Sequence, residues 1–276
     1  KIELRPLAEI KPYESNPRIN DAAVDAVATS IEKYGFRQPI VVDADITTTD
    51  GKATLTAGTT INSTANGNII TTGKDDAVQG TAGGEVLLRS TGAGAITLLG
   101  NITANGGNTT GGNNNGGDAG VVTILNANGL ILIDDITATG GSGFGAGVAG
   151  ANGTVQLSAT TTIDQQNGTA ITAGNLKLIS TGGDITLNNT GNNVAIVAAA
   201  LSGASSLSYV DANALSIGTV ALAGTGAASL AQVIGIVATG ADETVSVTSL
   251  TLTLTVDDVV TTNSGDVTLL ATAGAI

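Results

Sequence analysis

The chain has 276 residues, 42% of them apolar, with a formal charge of −13 at pH 7 and neither cysteine nor histidine. Those absences exclude Ser-His-Asp and Cys-His catalysis, imidazole metal ligands and disulfide staples, while the charge disfavours binding to phosphate backbones or anionic lipid. All four prolines (Pro6, Pro12, Pro17, Pro39) lie before position 44 and 38 of the 39 glycines lie after it, so the chain reads as two segments, 1–43 and 44–276.

In the first segment, Ile2-Glu3-Leu4-Arg5 reads as a short strand, and Asn20-Asp21 caps a helix whose apolar positions Val24, Val27, Ala28 and Ile31 follow helical spacing. Gly35 stops the helix, and Gln38-Pro39-Ile40-Val41-Val42 forms a second strand. Ile10-Lys11-Pro12, Asn16-Pro17-Arg18, Ser30-Ile31, Gly35-Phe36 and Gln38 to Val42 together resemble the start of the ParB/sulfiredoxin-like domain. That resemblance implies nucleotide binding, with relatives that partition or cleave DNA. The place of the family's phosphate signature reads Asp50-Gly51-Lys52-Ala53-Thr54, with one lysine and no arginine. Residues 1–43 are therefore expected to be a truncated α+β half-domain without a nucleotide site, too short to fold alone. The opening Lys-Ile-Glu-Leu-Arg-Pro lacks the apolar run of a signal peptide, so any export is expected to be directed from elsewhere.

The second segment holds four basic and sixteen acidic side chains, and only Phe144 and Tyr209 among aromatics. Nucleic-acid binding by residues 44–276 is not expected, and a core without rings calls for thin aliphatic layers. Internal repetition supplies them. The phrases Gly84-Glu85-Val86, Gly120-Val121-Val122 and Gly153-Thr154-Val155 follow one another at a near-constant spacing. Asn101-Ile102-Thr103-Ala104 recurs at the same spacing as Asp135-Ile136-Thr137-Ala138, so two independent phrases share one period. Further on, Gly174-Asn175-Leu176-Lys177-Leu178, Gly183-Asp184-Ile185-Thr186-Leu187 and Gly265-Asp266-Val267-Thr268-Leu269 read as short strands entered through turns. Strands this short have no core of their own but build one when stacked. The expected fold is all-β: a parallel β-helix with Val86, Val122 and Val155 in one internal ladder and Ile102 and Ile136 in another. Coils of about 20 to 35 residues would give about eight to eleven turns and a rod of about 40 to 50 Å. The uncharged stretch from Ile217 to Ala241 is too rich in Gly, Ala, Thr and Ser for a membrane helix, and reads as buried strands.

Thr181-Gly182-Gly183-Asp184-Ile185-Thr186-Leu187 and Asn263-Ser264-Gly265-Asp266-Val267-Thr268-Leu269-Leu270 resemble the filamentous haemagglutinin family of two-partner secretion exoproteins. The resemblance implies a right-handed β-helical stalk on the outer surface of a bacterium or beyond it, with a host or cell-surface receptor or glycan as partner. The family's N-terminal secretion domain is not seen in this sequence.

Adjacent carboxylates occur at Asp75-Asp76, Asp134-Asp135 and Asp257-Asp258, but neighbours on a strand point to opposite faces, so they are expected in solvated turns rather than as glycosidase dyads. After residue 43 the only cations are Lys52, Lys74, Arg89 and Lys177, too few for lyase chemistry on acidic sugars. Asn113-Asn114-Asn115-Gly116-Gly117-Asp118 loosely follows a calcium nonapeptide once, and Gly140 to Gly145 lacks a phosphate-loop ending; both are expected as flexible surface loops, with no cofactor or metal. These insertions, 105–119 and 139–152, fall at equivalent places in successive repeats and would emerge on one side. Asn113, Asn114, Asn115 and Phe144 are the candidate contact residues. The expected function is a non-catalytic stalk or adhesin, prone to end-to-end association. The alternatives are a polysaccharide-active enzyme on the same scaffold and a ParB-like nucleotide- or DNA-handling protein.

Overall fold

In the computed structural model, residues 39–276 are described, and every strand pairing among them but one is parallel. The strands line three faces of a solenoid. Face 1 is a nine-stranded sheet running from Ile40–Val42 through Ile61–Ser63, Ile96–Thr97, Ile131–Ile133, Ile163–Gln165, Ile185–Leu187, Leu207–Asp211 and Val245–Ser249 to Val267–Ala271. Each of these strands opens one coil, numbered 1 to 9.

Face 2 stacks Ile46–Thr47, Ile69–Ile70, Ile102–Thr103 and Ile136–Thr137, and face 3 stacks Ala53–Ala57, Val86–Ser90, Val122–Asn126 and Thr154–Ala159. In coils 5 and 6 the two faces fuse, because Ile171–Ser180 and Asn193–Leu201 run unbroken across the corner between them. Gly174-Asn175, expected as a strand-entry turn, therefore lies inside a single long strand. Tertiary pairing on both sides overrides the local turn propensity.

The stacking follows the sequence phrases. The Gly-x-Val phrases place Val86 beside Val122 and Val122 beside Val155 on face 3, and the Ile-Thr phrases place Ile102 beside Ile136 on face 2. All five side chains are buried in one continuous cluster. On face 1 an isoleucine ladder runs through Ile61, Ile96, Ile131, Ile163 and Ile185 before passing to Leu207 and Val245. Flat layers of branched aliphatics fill a narrow bore, and among the described residues Tyr209 is the single buried ring.

Coil length is uneven. The face 1 positions Ile40, Ile61, Ile96, Ile131, Ile163, Ile185, Leu207, Val245 and Val267 mark where successive coils begin. Coils 1, 5, 6 and 8 are short and nearly equal, which makes a coil of about 22 residues the basic unit, within the span usual for solenoid repeats. Coils 2, 3, 4 and 7 are longer and carry insertions. Nine rungs make eight steps of about 4.8 Å, or about 38 Å of solenoid.

Ile40–Val42, read from the sequence as the second strand of the N-terminal segment, pairs in parallel with Ile61–Ser63 and is the first rung of face 1. The remainder of the ParB-like half-domain, residues 1–38, lies outside the described residues. The stretch from Ile217 to Ala241 contains four strand pieces and no helix apart from the short turn Gly226–Ala228. Among the described residues no helix is long and apolar enough to cross a membrane.

Candidate functional site

Three of the four insertions, on coils 2 to 4, leave the solenoid at one corner, between face 2 and face 3; the fourth, on coil 7, leaves from within face 3. On coil 5, Thr172 and Leu176 are four residues apart. Their stacked equivalents are Thr137 and Val155 on coil 4, Thr103 and Val122 on coil 3, and Ile70 and Val86 on coil 2. The extra residues form three stacked excursions, each with an outgoing and a returning arm. The flap thus has three layers where the sequence repeats point to two, and the innermost, at residues 71–85, carries its own signal in Gly73, Gly80, Gly83 and Gly84.

The flap is not a pair of flexible loops. Within a layer the returning arm donates to the outgoing one, as in Gly117 N to Gly107 O (2.8 Å) and Gly150 N to Gly141 O (2.9 Å). Between layers Gly107 N donates to Thr81 O and Gly141 N to Gly117 O, both at 2.8 Å. Like arms also stack directly, with Gly106 N on Thr139 O and Ala119 N on Ala151 O, each 2.9 Å. Each arm thus bonds to neighbours in more than one direction, which a β-sheet does not do. Such spacing leaves no room for side chains: a Cβ on Gly106, Gly117, Gly141 or Gly150 would overlap a neighbouring carbonyl.

Asx side chains bind the layers together. Asp75 Oδ1 accepts from Asn108 N (2.6 Å), Asn108 Oδ1 from Ser142 N (2.8 Å), and Asn105 Oδ1 from Thr139 N (2.9 Å). Asn113 and Asn115, two of the predicted contact residues, do the same for Ala146 N (3.1 Å) and Val148 N (3.0 Å), while Asn114 accepts from Phe144 N through its backbone carbonyl (3.1 Å). In each case the lower layer supplies the oxygen. The upper layer has Ser142, Ala146, Val148 and Ala151 at the receiving positions, so the ladder ends on coil 4. Phe144 stands at the flap tip, 50% exposed, with Val148 (64%) and Val78 (72%) also projecting from the flap.

The paired carboxylates also accept hydrogen bonds, that of Asp135 from the backbone of the next coil. Asp135 Oδ1 accepts from Ala170 N (2.6 Å), Asp134 Oδ1 from Asp135 N (2.9 Å), and Asp76 Oδ1 from Val78 N (2.8 Å). Asp257 accepts from the Ser216 hydroxyl and Asp258 from that of Thr219 (2.7 Å). Burial pushes the Asp134 carboxyl above its ordinary value, whereas the Val78 amide holds that of Asp76 below it. Among the described residues no three acidic side chains gather in a metal-binding cluster.

The fourth insertion, on coil 7, is a hairpin. It leaves after Leu215–Ile217, pairs Thr219–Val220 antiparallel with Val233–Ile234, and returns to Ile236–Ala241. The hairpin lies along the outside of face 3, where Val220 and Val233 bury against Ala198, flanked by Ile179, Ile196 and Ala200. Beneath it, Thr123, Gln156 and Lys177 form a line of consecutive rungs pointing out of the sheet, all fully buried by the cover. Lys177 Nζ donates to Gln156 Oε1 (2.9 Å) and to one carbonyl on each hairpin arm, Ala221 O (2.9 Å) and Leu230 O (3.1 Å). Three donors of an ammonium thus meet three oxygens, yet none is a carboxylate.

Burial holds the Lys177 pKa below its ordinary 10.5. In the window between the lowered value and 10.5 the unfolded chain binds more protons than the folded one, so stability attributable to this group rises with pH. Urea midpoints of the native protein relative to Lys177→Met should therefore climb as pH approaches 10.5; a flat difference would contradict the burial. In the sequence Lys177 stands out only as one of four cations after residue 43. The available signal for its burial is the uncharged stretch 217–241, long enough to cover it.

The hairpin tip meets the flap base. Thr225 Oγ1 donates to Glu85 Oε2 (2.7 Å), and Lys52 Nζ donates to both Glu85 Oε2 (3.1 Å) and Thr225 Oγ1 (2.6 Å). Burial raises the Glu85 carboxyl, but Thr225 and Lys52 outweigh it and leave the group below its usual range. Asp50, Lys52, Glu85, Gly120 and Thr225 line a cleft of about 390 Å³ there. A second cleft, of about 460 Å³, opens at the opposite end of face 2 on coils 5 and 6 and is lined by Asn167, Thr169, Asn188, Asn189 and Thr190, without a charged group.

Comparisons of the chain with protein-family models, with curated protein sequences and with solved structures find no match. What the geometry establishes is a parallel β-solenoid, consistent with a β-helix, whose flap at the corner between faces 2 and 3 meets the tip of a hairpin laid along face 3.

Proposed function

We propose that this chain is a non-catalytic β-helical stalk or adhesin module, right-handed and of the filamentous haemagglutinin type, carried on the surface of a bacterium or released from it. Its partner is a host or cell-surface receptor or glycan, and the flap is the face that meets it. The observation that carries this reading is the use of the acidic and amide side chains: Asp75, Asn105, Asn108, Asn113, Asn115 and Asp135 tie coil to coil, which builds a rigid rod. A solenoid that stacks three successive insertions at one corner concentrates its variable surface there, the usual arrangement of a binding solenoid.

Phe144 is the side chain best placed for contact, while Asn113 and Asn115 position the loop that carries it. Phe144→Ala should lower binding to cultured cells or to an immobilised glycan array about tenfold, the effect of losing an aromatic anchor, with an unchanged circular dichroism spectrum. Undiminished binding would remove the flap tip from the interface. Incubation with neutral polysaccharides should release no reducing ends; release would transfer the assignment to a glycoside-cleaving enzyme.

A further inference from the structure

In a solenoid each coil touches only its neighbours, so stability is a sum of nearest-neighbour terms and the stack can unravel from either end. The coil 7 hairpin departs from that rule. Its root is on coil 7, and its arms are gripped by Lys177 on coil 5 and by Gln156 on coil 4, whose Nε2 donates to Ala223 O (3.2 Å). Its tip is bonded to Glu85 on coil 2 and Lys52 on coil 1, which lie 140 and 173 positions away in the chain. We propose that this hairpin is a longitudinal clamp, which makes coils 1 to 7 open as one cooperative unit instead of peeling coil by coil. The role is mechanical and independent of what the flap binds.

Register shows that the hairpin is additional to the coil that bears it. Val197 and Ala199 on coil 6 are two residues apart, whereas their partners Ile217 and Ile236 are nineteen apart, so the excess is seventeen. Gly235 N donates to Gly218 O (3.1 Å), which brings the two ends of the insertion together. Deleting residues 219–235 would leave Gly218 opposite Ala198 and restore an ordinary coil. The inner side of the hairpin, Val220 and Val233, packs on a sheet surface that is otherwise outward-facing, so removal uncovers Ala198 and Lys177 but does not open the bore.

The test is hydrogen exchange and urea unfolding of the deletion variant beside the native protein. The clamp predicts that the native chain unfolds in one transition and the variant in two, with the amides of Ala53–Ala57 and Val86–Ser90 exchanging at least about tenfold faster in the variant. A single transition at the native midpoint, with unchanged exchange in those two strands, would overturn it. Should the deletion variant fail to fold, Thr225→Val combined with Glu85→Ala cuts only the distal anchor, the bond from Thr225 N to Glu85 Oε1 (3.3 Å) included. It should speed exchange on coils 1 and 2 while leaving Ile171–Ser180 as in the native chain; equal exchange on coils 1 and 2 would likewise overturn the clamp.

Discussion

Asn192→Ala should cost about 3 to 5 kcal/mol, read as a fall in the urea midpoint. Asn192 is fully buried where face 1 of coil 6 turns into face 2. The two N–H groups of its Nδ2 are shared among Leu187 O (3.0 Å), Val210 O (3.2 Å) and Gln165 Oε1 (3.1 Å), and its Oδ1 accepts from Ile171 N (2.9 Å) and Gln165 Nε2 (2.8 Å). One side chain thus satisfies groups on coils 5, 6 and 7. Truncation leaves the Ile171 amide without this partner and strips an amide donor from two carbonyls and from the Gln165 side chain, in a site closed to water where each unsatisfied group costs about 1 to 3 kcal/mol. Asn192→Leu keeps the volume but not the bonds, so it should recover little. Recovery to near-native stability would mean that packing, rather than the amide network, holds this corner.

The same corner continues to coil 7, where Asp211 Oδ2 accepts from Tyr209 Oη (2.8 Å) and Val194 N (2.9 Å). Burial raises the Asp211 carboxyl despite these donors, and burial together with Asp211 pushes the Tyr209 phenol well above its ordinary value. Both groups bind protons more tightly folded than unfolded. Their contribution to stability is full below the unfolded pKa and declines as pH rises through the folded one, opposite in sign to that of Lys177.

Gly117→Val is the second large effect, about 2 to 4 kcal/mol with loss of the layered flap. The added Cβ would overlap the carbonyl oxygen and carbon of Thr81, which are backbone atoms held in turn by the Gly107 amide. No rotamer relieves a clash with backbone, so the layers on either side of Gly117 must part. Amide exchange across residues 73–83 and 106–120 should accelerate accordingly. Ala146→Val, on the same flap, should stay within about 0.5 kcal/mol of the native protein and serves as the control. Equal exchange in both variants would show that the arms are not packed at glycine distance.

The internal ladders were legible because a parallel solenoid repeats its chemistry at the distance between rungs. Val86, Val122 and Val155 recur at a near-constant spacing, and those are the partners that the register brings together. Phe144 and the asparagines at 113–115 could be located on a protruding segment for the same reason. Their roles could not be read there. Asn113 and Asn115 present their side-chain oxygens to the next layer, and only the stacked geometry separates such a ladder acceptor from a contact residue.

The short basic coil was masked by insertions, which lengthen coils 2 to 4 by roughly half and so set the period that the sequence displays. Gly174-Asn175 misled locally because a turn dipeptide has no turn to make when both neighbouring coils offer a ladder. The order of short branched-aliphatic strands and Gly-Asx turns determined, by itself, that this chain stacks in parallel and around which residues. Only the tertiary structure decided that three glycine-rich excursions interlock, and that a hairpin from coil 7 covers Lys177 and reaches Glu85. Those contacts join residues far apart in the chain through hydrogen bonds of backbone and side chain and through burial, which have no periodic trace in composition.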